Sequence, residues 1–96
     1  MSLPGTTKGP LIRVEFFSIP RVRTGVAEVS LHAKTLGGVL SQLQERFPAL
    51  TPECLRDAGL APGYLACLNA RHFTTDITTP VHEGDTILIL SADVGG

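Results

Sequence analysis

The run from Thr86 to Leu90 constrains this chain more than any other stretch. Ile87, Leu88, Ile89 and Leu90 follow one another without a polar residue. A half-exposed strand alternates apolar with polar, so a run apolar on both faces reads as a central strand with neighbours on each side. Gly84 and Asp85 turn the chain into it. A single helix covers only one face of such a sheet, which leaves either Ile87 with Ile89 or Leu88 with Leu90 to be covered by something else.

The remaining elements follow from periodicity. Ile12, Val14 and Phe16 alternate with Arg13, Glu15 and Phe17, the period of two that marks a strand. Pro20 and Gly25 break that pattern, and Ala27, Val29 and Leu31 resume it, so the two runs are expected to pair as an antiparallel ribbon. Thr35 is a suitable N-cap, and Leu36, Val39, Leu40, Leu43 and Phe47 then recur at spacings of three and four up to Pro48. This is the one main helix. Residues 48–63 connect, with a short helix expected from Thr51 and Pro52 through Leu55. Tyr64–Leu68 reads as a third strand, Asn69-Ala70-Arg71 as a tight turn, and Phe73 as the centre of a short return strand. The order strand, strand, helix, short strands and a doubly apolar last strand fits an α+β roll of the β-grasp, or ubiquitin-like, type. In that arrangement a mixed sheet of four to five strands places the last strand parallel to the first.

Ninety-six residues suffice for one core but not for two substrate-binding lobes. The chain reads as a loose leader over 1–10 followed by one domain over 11–96, whose tail begins near 91. Net charge is −1, with no basic footprint for nucleic acid and no polybasic patch for a membrane surface. No stretch has a signal-peptide core or a spanning length of apolar residues, and a cytoplasmic protein is expected. Charge is nonetheless divided: residues 1–50 hold six basic and three acidic side chains, residues 51–96 two basic and six acidic. A partner that receives the C-terminal end is therefore expected to be basic.

That end reads Asp93-Val94-Gly95-Gly96. Two residues without Cβ atoms can run extended through a channel that excludes other side chains, so the Gly96 carboxylate can enter another enzyme's active site. Near neutral pH it is an anion, its pKa being roughly 3.3–3.7, and it resists attack until a mixed anhydride with a nucleotide phosphate supplies a leaving group. The plain alternative is a fraying or trimmed terminus.

Several residues in order carry a family likeness: Phe16-Phe17, Arg21 or Arg23 before Gly25, Thr35-Leu36 with Leu40 and Leu43, Leu68-Asn69, Glu83-Gly84-Asp85, and Gly95-Gly96. Over residues 11–96 the chain resembles the ubiquitin-like sulfur carriers of the MoaD/ThiS group, which includes the molybdopterin synthase small subunit. It departs from them at Ala70, where glycine is usual, and at Ser91-Ala92-Asp93, where proline is common. The resemblance implies a non-enzymatic carrier with no bound cofactor. A ubiquitin-activating-type enzyme using ATP and magnesium adenylates Gly96, and a sulfur donor then leaves a thiocarboxylate for a synthase of molybdopterin, thiamine or cysteine type. Asp93, Val94 and Gly95 would set the fit in the partner's channel. From the residues themselves, Phe17 with one pair of the last strand, Leu88 and Leu90, reads as an apolar partner surface, the alternative being that residues 48–63 fold over this face. A protein modifier joined to lysine through Gly96, or a β-grasp interaction module with an incidental diglycine, remain open alternatives.

No other constellation competes. His32, His72 and His82 fall on different elements without metal-ligand spacing. Cys54 and Cys67, thirteen positions apart, form no redox motif and read as free thiols, Cys67 as a small packed residue. Asp76, Glu83 and Asp85 read as turn formers. Arg21 and Arg23 read as solvated loop residues or as binders of a carboxylate or other anion.

Overall fold

A computed structural model describes residues 9–57 and 59–92. The main sheet has five strands: β1 (Leu11–Phe16), β2 (Glu28–His32), β5 (Tyr64–Leu68), β6 (His72–Thr74) and β7 (Thr86–Ser91). A second ribbon pairs the two-residue strands β3 (Leu55–Arg56) and β4 (Gly59–Leu60). Strand order in the main sheet is β2-β1-β7-β5-β6. β7 lies at the centre, parallel to β1 with Phe16 opposite Ile89, and antiparallel to β5 with Leu68 opposite Ile87.

Helix α2 (Leu36–Arg46) crosses one face, burying Leu36, Val39, Leu40 and Leu43. Against it pack Ile12, Val14 and Phe16 of β1, Ala66 and Leu68 of β5, and Ile87 and Ile89 of β7. Each fully buried aliphatic side chain contributes about 1.5–3 kcal/mol, so this one face supplies most of the driving force. Phe16 and Phe47 meet edge to face, ring centres 5.7 Å apart, and fasten the end of α2 to the sheet.

The first-turn amides of α2 are all satisfied. Thr35 Oγ1 accepts from Gly38 N at 3.1 Å, and Val39 N donates to the Thr35 carbonyl. Leu36 N and Gly37 N donate to the carbonyls of Thr79 and Ile77, both at 2.8 Å. Gly37 thus lets the loop before β7 come close: a Cβ there would stand 3.1 Å from the Ile77 carbonyl oxygen.

Two connections differ from the sequence reading. Residues expected to break the chain form helix α1 (Ser18–Thr24). Pro20 lies in its first turn, where an amide has no intrahelical acceptor, and Gly25, at φ 77°, closes it by donating to the Arg21 carbonyl. The two supposed breakers punctuate a helix. Conversely, the short helix expected over 51–55 is absent. A 3-10 turn at Pro48–Leu50 leads instead to the β3–β4 ribbon, and Leu50, Cys54, Leu55 and Ala61 all bury into the core. Of the expected leader, residues 1–8 lie outside the described residues. Gly9 and Pro10 are tied down: the Pro10 carbonyl accepts from Ala33 N and the Gly9 carbonyl lies 3.0 Å from His32 Nδ1.

Candidate functional site: the tail end and the open face of the sheet

β1 and β7 run parallel, so both finish at the same end of the molecule. There Ala92 N donates to the Gly63 carbonyl at 2.7 Å, Phe17 N donates to the Ile89 carbonyl, and α1 packs beside β7. The chain leaves the sheet from this junction. Asp93, Val94, Gly95 and Gly96, which the sequence singles out, lie outside the described residues.

Beneath the junction is a linked polar cluster. Tyr64, opposite Ser91, donates its hydroxyl to Glu53 at 3.2 Å, and Glu53 pairs with Arg23 of α1 at 3.6 Å. Burial pushes the Cys54 thiol above its ordinary value, and burial with hydrogen bonding to Cys54 and Glu53 pushes the Tyr64 phenol well above its own. Both groups stay neutral, so Cys54 has no activated thiolate. Arg23 therefore lies on a helix rather than a loop, exposed as expected but with an ion-pair partner.

The doubly apolar β7 resolves into two sides. Ile87 and Ile89 are fully buried under α2, whereas Leu88 and Leu90 point to the helix-free face and are half-buried. Residues 48–63 do not cover that face: the 3-10 turn, β3 and β4 pack on the α1 and α2 side. Phe17 is 53% exposed, though not as part of β1; it is the extended N-cap of α1.

Strand register grades this open face along its length. Farthest from the tail end, exposed Leu11 stands opposite His32, and next to it Ser30, Arg13 and Thr86 form a polar row. Next come Glu28, Glu15, Leu88, Cys67 and Phe73. Nearest the tail end, Leu65 pairs with Leu90, beyond which stand Phe17 and Val26, both more than a third exposed. From the Arg13 row onward, apolarity rises toward the end where β7 finishes. Cys67 is buried within this surface as a small packed residue, while Leu65 and Phe73 extend the patch beyond the three residues read from the sequence; period-two alternation through Tyr64–Leu68 held that signal. Among the described residues no three His, Cys, Asp or Glu side chains gather as metal ligands, and no helix is long and apolar enough to cross a membrane.

No protein-family model and no curated protein matches the chain. Solved structures do. Small archaeal modifier protein 1 of Methanosarcina acetivorans superposes with a TM-score of 0.75 at 24% identity, covering 91% of this chain and 97% of that one. Subunit 1 or 2 in the molybdopterin-converting factor complex of Helicobacter pylori gives 0.64 at 26% identity, with 90% and 99% covered. The chain has the ubiquitin-like β-grasp fold. A chain of the BexX/CysO complex of Amycolatopsis orientalis matches this β-grasp domain at 0.73 and 21% identity, covering 88% and 99%. These neighbours support the resemblance to the ubiquitin-like sulfur-carrier family, and two of them were solved in complex with another protein.

Proposed function

We propose that this β-grasp protein is a sulfur carrier whose chemistry is confined to the Gly96 carboxylate. The observation that carries the reading is a ubiquitin-like sheet with an open apolar face whose central strand ends at Ser91, only three positions in sequence before Val94-Gly95-Gly96. An activating enzyme transfers AMP from ATP to the carboxylate and releases pyrophosphate. A sulfur nucleophile then displaces AMP, leaving a thiocarboxylate that a synthase subunit consumes. The domain itself supplies recognition: Phe17, Leu88 and Leu90 dock the partner while Asp93, Val94 and Gly95 thread its channel. The partner holds the ATP and magnesium. A cytoplasmic setting accords with two unbridged cysteines.

Conjugation to a lysine amine is a second reading, favoured by the likeness to a small archaeal modifier, and it shares the adenylation step. Intact-mass spectrometry after incubation with the adenylating enzyme of the same organism, ATP and a sulfur source separates the two. A gain of about 16 Da at the C-terminus, sulfur replacing oxygen, identifies the carrier. Higher-mass conjugates identify the modifier. No change, or a native polypeptide continuing past Gly96, defeats both and leaves an interaction module.

A further inference from the structure

Glu15 and Glu28 stand directly opposite each other across the antiparallel β1–β2 pair, on the open face. Like charges so placed repel, and a sheet gains nothing from them. Glu15 pairs with one cation, Arg13, whose Nε lies 3.6 Å from its carboxylate. Among the described residues Glu28 makes no ion pair. The row continues through Leu88, beside which a depression of about 330 Å³ is lined by Glu15, Cys67, Asn69, Ala70, Thr86 and Leu88.

A protein that covers the apolar end of this face, Phe17, Leu90 and Leu88, strips water from the neighbouring carboxylates. Two carboxylates losing solvent, only one of them paired with a cation, oppose docking unless the incoming surface brings positive charge. We infer that the partner which takes the tail sets a lysine or arginine over Glu15 and Glu28, its aliphatic stem lying along Leu88 in the depression. A long basic side chain suits such a site because its stem is apolar and its head is charged. The acidic balance of residues 51–96 favours the same sign of partner. This inference rests on the carrier reading and specifies the chemistry of its partner.

The test pairs stability with recognition. In Glu15→Gln/Glu28→Gln the repulsion is gone, so the melting temperature holds or rises. The KM for the carrier in pyrophosphate exchange by the adenylating enzyme rises about tenfold at low salt with kcat unchanged, and its salt dependence flattens. The single Glu28→Gln variant, which breaks no ion pair, shifts KM in the same direction and guards against a folding defect in the double variant. An unchanged KM and salt slope in both variants overturns the inference while leaving the carrier reading intact. Failure of the wild-type chain to be adenylated overturns the carrier reading and this inference together.

Discussion

Asn69, just after β5, and Asp85, just before β7, join two neighbouring antiparallel strands: the Asn69 carboxamide donates to Asp85 Oδ1 at 3.0 Å and accepts from Thr86 N at 2.9 Å. Asp85 in turn accepts from His82 N at 2.8 Å, and its own carbonyl accepts from Arg13 N at 3.0 Å. Glu83 Oε1 accepts from Leu11 N, and Gly84 N donates to the Leu11 carbonyl. The Glu83-Gly84-Asp85 stretch is thus a knot that sets β1, β5 and β7 in register at the end opposite the tail.

Breaking that knot is expected to cost stability but not chemistry. Asn69→Ala removes two side-chain hydrogen bonds and places alanine at φ 53°, a loss of about 2 kcal/mol. A urea titration measures it, and adenylation of the folded fraction should be unchanged.

Ala70 carries the opposite expectation. It sits at φ 61°, left-handed backbone that penalises a Cβ. Ala70→Gly relieves about 1–2 kcal/mol of strain against a smaller gain in unfolded-chain entropy, for a net stabilisation of about 0.5–1 kcal/mol. Thermal melting should show a rise of a few degrees.

The neighbouring glycines of α2 are expected to respond differently to the same change. Gly38→Ala meets only ordinary contacts, 3.5 Å to Ala33 Cβ, and gains up to about 1 kcal/mol of helix propensity. Gly37→Ala meets the Ile77 carbonyl oxygen at 3.1 Å, and that carbonyl is held by the Gly37 amide itself. It cannot retreat without losing the bond, so Gly37→Ala should be the less stable of the two variants in side-by-side denaturation.

Alkaline pH should unfold the protein through Tyr64 and Cys54. Both groups have raised pKa values in the folded state, so the folded chain retains protons that the unfolded chain releases. Their stabilisation is complete below the ordinary thiol value of 9.0 and is lost as pH rises past it and past the ordinary phenol value of 10.0. Tyr64 is the only tyrosine and there is no tryptophan, so phenolate absorbance reads this one group. It should appear with loss of structure rather than at its ordinary pH.

Deleting Gly96 should abolish adenylation and leave the melting temperature within experimental error. The described core, from Ile12 to Ile89, is complete without it. A large loss of stability would contradict a tail that works outside the domain.

Much of the architecture was already written in residue order. Thr35 as N-cap, the Leu36-Val39-Leu40-Leu43 face, the turn at Asn69 and a central β7 parallel to β1 all follow from local rules: a hydroxyl that caps an amide, a period that selects a face, and an apolar run that requires cover. Other features depended on contacts made across the fold. Pro20 and Gly25 have the same chemistry whether they interrupt a chain or bound a helix, and only packing of α1 beside β7 selects the helix. Leu88 and Leu90 are indistinguishable by hydrophobicity from Ile87 and Ile89; the pleat, fixed by register with β1 and β5, buries one pair and opens the other. Register likewise set Glu15 against Glu28, since residues thirteen apart in sequence become neighbours only once a hairpin closes between them.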